Sequence, residues 1–271
     1  MSGTDDAGSV FAESFESIRV DRDGAVATVT IDRPDDRNAL NAAVRSELKA
    51  ALPRIEDSDA RVVVLTGSDE CNAFVAGADV TELRDRDLLE QRAASARPRV
   101  YEVVDGLTTP VIAAVNGHAL GGGLELATAC DVRIAREGGK LGQPEINLGL
   151  IPGGGGTQRL PRLVGEGQAM RLILSGELID AAEASEIGLV EQACAPEAFG
   201  DRVDELAGAI ADKSPLALEF AKESVRAASR TDLDEGIDFE AQLFVQLFAT
   251  EDKDEGIDAF FEDRPPEWRG R

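Results

Sequence analysis

The chain has 271 residues, enough for one large domain with or without a smaller appendage. Hydrophobic residues make up 43%, so a sizeable core can form, while 52 acidic side chains against 28 basic ones leave a net charge of -24. Such a field repels nucleic-acid phosphates and anionic membranes and argues against both as partners; no run of about 18 or more apolar residues offers a membrane span.

Met1 to Ser9 is small, polar and acidic, without the basic start and apolar middle of a signal peptide, so a cytoplasmic location is expected. Only five basic residues are lysines: Lys49, Lys140, Lys213, Lys222 and Lys253. The acids are spread along the chain. A uniformly acidic, lysine-poor surface resembles that of halophilic proteins, whose self-repulsion a salt-rich cytosol screens. Cys71, Cys130 and Cys194 are far apart, and no CxxC or Cys/His ligand spacing occurs. They read as buried free thiols, and no metal site is expected.

In chain order, the first residues read as loosely ordered. Ala25 to Ile31 alternates small, β-branched and apolar residues and predicts a strand. Asn41 can cap a helix whose Val44, Leu48, Leu52 and Ile55 share one face. Val62 to Leu65, Val111 to Val115 and, more weakly, Val132 to Ala135 are continuous apolar runs, as in parallel strands buried on both faces. Helical patterns lie between them, so this part reads as α/β. Asp180 begins a helix that Gly188 ends. Segments 197–211, 215–229, 232–249 and 251–262 then have helical periodicity and few strand signals.

Three glycine-rich segments follow strand-like runs. They are Phe74-Val75-Ala76-Gly77-Ala78-Asp79, Asn116-Gly117 through Gly121-Gly122-Gly123-Leu124-Glu125, and Gly142-Gln143-Pro144-Glu145 with Ile151-Pro152-Gly153-Gly154-Gly155-Gly156-Thr157-Gln158-Arg159. Glycine lets backbone N–H groups approach a ligand, and a glycine run opening a helix aims free N–H groups at an oxygen. None is a P-loop or a dinucleotide fingerprint. Glu125 lies between Leu124 and Leu126, and Glu145 between Pro144 and Ile146. Neither setting suits a surface acid.

Together with Asp32-Arg33-Pro34 and Asn38-Ala39-Leu40, these segments, in this order and spacing from about Ala25 to Trp268, resemble the crotonase (enoyl-CoA hydratase/isomerase) superfamily. The resemblance implies a crotonase-like spiral of ββα repeats with a helical C-terminal oligomerisation region, assembled as a homotrimer or a dimer of trimers. It divides the chain into a loose N-terminus over 1–15, an acyl-CoA-binding core over 16–196 and the helical region over 197–271. It implies an acyl-CoA thioester as ligand, coenzyme A being part of the substrate, and no further cofactor.

The resemblance places an oxyanion hole at the backbone N–H groups of Ala78 and Gly122. Its catalytic glutamates fall at Glu125, mainly activating water, and Glu145, mainly delivering a proton to C2. Ala76, Asp79, Val80 and Thr81 are expected near the CoA, Gly153 near the water, and Arg264 beside a neighbour's CoA site. Two glutamates point to the hydratase branch, a lyase adding water to 2-enoyl-CoA. An isomerase, decarboxylase or hydrolase of the superfamily, and a non-catalytic acyl-CoA binder, stay open. His118 reads as packing, Arg159 as a structural ion pair and Asp79 as a helix cap. Asp35-Asp36 is a departure, since two acids stand where relatives carry basic or neutral residues. The acyl-pocket wall is expected between Leu83 and Val104.

Overall fold

A computed structural model describes residues 10–271. The loose segment expected at Met1 to Ser9 lies outside the described residues. From Val10 the chain is docked: Val10 is buried in a 3-10 turn over Val10–Ala12, and Phe11 packs against the core. The looseness expected as far as residue 15 therefore does not extend to this turn.

Strands β1 (Ile18–Asp23) and β2 (Val26–Ile31) pair antiparallel. Asn41 caps α1 (Ala42–Glu56), its Oδ1 accepting the Val44 N–H at 2.9 Å. Val44, Leu48, Leu52 and Ile55 are buried along one face of that helix, as their spacing predicts. Then β3 (Val62–Gly67) and β4 (Ala73–Val75) lead into three short helices, α2 (Val80–Asp85), α3 (Leu88–Ala94) and α4 (Val100–Gly106). The next turn has the same order: β5 (Val111–Val115), β6 (His118–Leu120) and α5 (Gly122–Ala129). A third has β7 (Val132–Arg136), β8 (Lys140–Gly142), a 3-10 turn over Pro144–Leu148 and α6 (Gly156–Ser175).

In each turn the first strand joins a six-stranded sheet of order β1-β2-β3-β5-β7, completed by β10 (Gln192–Cys194) after β9 (Leu178–Asp180) and α7 (Ala181–Glu186). The second strand joins a four-stranded sheet of order β4-β6-β8-β9. Beyond the β1–β2 hairpin the large sheet is parallel. This is the α/β spiral of ββα repeats that the resemblance implies. Four helices close the chain: α8 (Phe199–Ala211), α9 (Pro215–Ala227), α10 (Leu233–Leu247) and α11 (Glu251–Glu262). Among the described residues, no helix is long and apolar enough to cross a membrane.

The apolar runs are continuous because both faces of the large sheet are covered. Val63, Leu65, Val111, Ala113 and Val115 face the main core with α1, α4 and α5. Their neighbours Val62, Val64, Ile112, Ala114 and Ile134 face Val203 and Ala207 of α8. A boundary at 196/197 thus cuts α8 from the sheet it covers; the helices that stand outside the core begin with α9. Cys130 and Cys194 are buried free thiols, whereas Cys71 is only half-buried. Gly123 shows why the glycine run is needed: a Cβ there would lie 2.0 Å from the Val75 carbonyl oxygen. Without side chains in the way, α5 begins against β4, beside the loop that follows that strand.

Candidate active site

The loop after β4 is held from behind by residues 37–40. The Leu40 N–H donates to the Gly77 carbonyl at 2.8 Å, the Leu40 carbonyl accepts from the Asp79 N–H at 3.1 Å, and the Ala76 N–H donates to the Arg37 carbonyl at 3.2 Å. Buried Asn38 donates through Nδ2 to the Ala73 carbonyl at 2.8 Å. Ala78 sits between these pinned residues, and its N–H has no acceptor among the described residues. Gly122 is the first residue of α5, where an N–H lacks an intrahelical partner; it has no acceptor either among the described residues. A Cβ built on Gly122 would lie 3.4 Å from the Ala78 nitrogen, so the two amides are neighbours. Two such donors suit an oxygen that gains negative charge.

Glu125 lies in the first turn of α5, 3% exposed. Its Oε1 accepts the Gly154 N–H at 2.6 Å and the Gly156 N–H at 2.8 Å, at the start of α6. Burial pushes its carboxyl above the usual range, and the two N–H donors pull against that shift. Glu145 belongs to the 3-10 turn after β8, and its Oε1 lies 3.0 Å from where a Cβ on Gly121 would stand. With its amide turned to donate, buried Gln143 places its nitrogen 3.0 and 3.2 Å from the two Glu145 oxygens. Burial, with the Glu125 charge adding to it and the backbone N–H of Glu145 opposing, pushes the Glu145 carboxyl up to about 7. Two carboxyl groups thus share one space with different seats: one held by N–H donors, the other half-protonated near neutral pH.

Ala76, Ala78, Val80, Gly122, Glu125, Glu145 and Gly153 line one cavity of about 730 Å³. Leu83, Ala94, Ala96, Pro98 and Tyr101 line it as well, within the stretch where an acyl wall is expected. Asp79 and Thr81 are not part of the lining. The Asp79 carboxylate caps α2, accepting the Thr81 N–H at 3.0 Å and its hydroxyl at 2.6 Å. Those bonds, the hydroxyl's first, hold Asp79 below the usual carboxylate range. Arg264 also lies off the cavity, paired with Glu255 at 2.6 Å and Glu262 at 2.7 Å. Gly153 gives its carbonyl to Arg99. The donors to Glu125 come from Gly154 and Gly156.

His118 Nδ1 accepts the Lys140 N–H at 3.0 Å, a packing role. Arg159 braces the Gly154 carbonyl at 3.1 Å and faces Asp105 at 3.9 Å, the ion pair its sequence context predicts. Asp35 and Asp36 do not line the cavity, and Asp36 pairs with Arg33.

Three features escape a reading of the sequence. Gly154 and Gly156 serve an internal carboxylate rather than a ligand; the glycine run signals anion binding but not which anion. Gln143 stands two residues before Glu145 and turns back onto it. Tyr101, the chain's only tyrosine, enters the cavity from α4, in a segment without recognisable spacing.

Known proteins resemble this chain over nearly its whole length. The crotonyl-CoA hydratase of Syntrophomonas wolfei is 42% identical over 253 residues, 93% of this chain and 97% of its own. The short-chain-enoyl-CoA hydratase of Clostridium acetobutylicum is 41% identical over 252 residues, 92% and 96% of the two chains. The crystal structure of an enoyl-CoA hydratase from Bacillus anthracis superposes with a TM-score of 0.91 at 42% identity, covering 94% of this chain and all (100%) of the other. Residues 21–271 match the family described as enoyl-CoA hydratase/isomerase. With fold, extent and sequence in agreement, this chain is a member of the enoyl-CoA hydratase/isomerase family.

Proposed function

We propose that the protein is an enoyl-CoA hydratase, adding water syn across the double bond of a 2-enoyl-CoA to give a 3-hydroxyacyl-CoA. The observation that carries this reading is the pairing of Glu125 and Glu145 in one cavity, beside two neighbouring N–H groups without acceptors among the described residues. The thioester oxygen accepts from Ala78 and Gly122. Glu125 takes a proton from water as the water oxygen attacks C3. Electrons move to the thioester oxygen, giving an enolate that the two N–H groups stabilise; losing one such donor typically lowers the rate roughly 10²–10³-fold. Glu145 then gives its proton to C2. No cofactor is needed, since coenzyme A arrives with the substrate. The test is the loss of the conjugated enoyl absorbance of crotonyl-CoA and of longer 2-enoyl-CoA chains, at molar salt with no added cofactor. Folded protein that hydrates none of them refutes the assignment.

The same reading extends to assembly and setting. The exposed phenylalanines Phe244, Phe248, Phe260 and Phe261 support a homotrimer or a dimer of trimers, in which Arg264 reaches a neighbour's CoA site. Sedimentation should give three or six times 28.7 kDa, and a monomer would refute it. The net charge of -24 supports a salt-rich cytoplasm. Thermal unfolding should move upward as KCl rises toward molar levels, and a midpoint that salt does not raise would oppose this setting.

A further inference from the structure

Tyr101 stands where the amide pair and the carboxyl pair meet. Its side chain is 8% exposed and lines the cavity. The ring packs on Gly154: a Cβ on that glycine would lie 2.4 and 2.5 Å from ring atoms Cε2 and Cζ, and 2.6 Å from Glu125 Oε2. The hydroxyl lies beside the start of α5. A Cβ on Gly122 would lie 3.0 Å from that oxygen and 3.4 Å from the Ala78 nitrogen. Gly122 therefore stands beside both that hydroxyl and the Ala78 amide, the other amide assigned to the thioester oxygen.

No hydrogen bond from this hydroxyl to any described residue occurs. The hydroxyl opens onto the cavity, where a bound molecule or water can pair with it. Burial, and then the Glu125 charge, raise the phenol's pKa, so it stays protonated and able to donate. Nearby carboxylates would repel a phenolate but leave a phenol free to face developing negative charge.

We propose that the Tyr101 hydroxyl is a third donor to the thioester oxygen, beside the N–H groups of Ala78 and Gly122. The inference rests on the reading that the cavity holds an acyl-CoA thioester. It makes the oxyanion site of this chain part backbone and part side chain. An amide is fixed by its loop, whereas a phenol hydroxyl rotates and can follow the oxygen as charge builds on it. The ring against Gly154 fixes where that rotation takes place.

The experiment uses the full chain carrying Tyr101→Phe, which keeps the ring on Gly154 and removes only the oxygen. Difference infrared spectra of carbonyl-labelled butyryl-CoA, which has no double bond to hydrate, read hydrogen bonding at the thioester oxygen without turnover. Bound to the native protein, the carbonyl stretch should fall below its solution value, and Tyr101→Phe should give back part of that shift. With crotonyl-CoA the variant should lose roughly 10²-fold in kcat, with KM changed much less.

Because Tyr101 is the only tyrosine, growth on 3-fluorotyrosine labels this position alone and gives a second variant of nearly native shape. Its more acidic phenol should push the carbonyl stretch lower than in the native protein. An unchanged stretch in both variants overturns the proposal, whatever happens to turnover; loss of turnover with an unchanged stretch would place the hydroxyl on water instead. Failure of the native protein to hydrate any enoyl-CoA would sink the hydratase assignment, while the infrared result would still decide the role of Tyr101.

Discussion

In the spiral core Val63, Leu65, Val111 and Val115 are fully buried within a single chain, whereas Phe244 near the end of α10 is 61% exposed and Phe260 on α11 is 81% exposed. Both regions are rich in apolar residues, so composition alone does not separate them. The difference is what covers them. The core strands have α1, α4 and α5 on one face and α8 on the other, while α10 buries only Leu243 and α11 only Asp252 and Ala259. The core thus completes itself, and the candidate site sits inside it; the last helices present an apolar face that the described residues do not fill.

The sharpest way to break that contrast is to alter chemistry in the core without touching packing. Glu125→Gln keeps the size of a side chain that bridges α5 and α6 and removes its charge. Turnover with crotonyl-CoA should drop by about 10²–10⁴-fold, the usual worth of an acid–base group, with acyl-CoA binding retained. Glu145→Gln should fall in the same range. A near-native rate in either variant removes that residue from the mechanism.

Next in size is a packing pair, one residue from each region. Leu48 is fully buried on α1, so Leu48→Ala should cost about 2–5 kcal/mol in urea unfolding at any protein concentration. Phe260→Ala should leave the concentration-independent part within about 0.5 kcal/mol, as for ordinary surface positions. It should lose only the part of stability that depends on concentration, because association stabilises by mass action. Equal behaviour of the two variants would erase the distinction between a self-sufficient core and an assembly face.

The sequence conveys the core better than it conveys the site, for identifiable reasons. Val62 to Leu65 and Val111 to Val115 are legible because two covered faces leave no polar alternation to confuse them. The Asn41 helix is legible because cap and apolar stripe agree. β1 is not, since Ile18 and Val20 alternate with Arg19 and Asp21 and then give way to Arg22 and Asp23 on an edge strand, where charge is tolerated. The strands β4, β6, β8 and β9 have three residues each, too few to show a period. Glu125, Glu145, Ala78 and Gly122 could be named from motif order. Their partners could not: Gly154 and Gly156 reach Glu125 only after the chain has made another turn, and Tyr101 arrives from a helix in a stretch without motif.

The pH response separates the two carboxyl seats on a smaller scale. Burial and the neighbouring Glu125 charge bring Glu145 up to about 7, so it holds its proton below that value and loses it above. As the proposed donor to C2 it must be protonated. Hydration should therefore fall about tenfold per pH unit on the alkaline side of 7, and fall again at lower pH as Glu125, which must be ionised to accept the water proton and whose carboxyl burial raises, becomes protonated. Rate profiles of kcat/KM against pH check this; a rate that rises through 7 would reverse the assignment of the two glutamates.

The smallest contrast compares two helix caps, one in each region. Asn41 Oδ1 accepts the Val44 N–H at 2.9 Å, and Thr250 Oγ1 accepts the Lys253 N–H at 3.2 Å. Replacing either by Ala should remove about 1 kcal/mol of stability, the usual worth of one cap. Their effects on turnover should differ. Asn41 follows Leu40, whose backbone holds Gly77 and Asp79 on either side of the Ala78 N–H, so loosening the start of α1 loosens the proposed oxyanion donor. Thr250 opens α11, outside the cavity lining. Asn41→Ala should lower kcat several-fold at matched stability while Thr250→Ala leaves it unchanged, as read from turnover and thermal unfolding of the same samples. Equal kcat in the two variants would mean that the loop around Ala78 is fixed by its own hydrogen bonds, independently of the helix behind it.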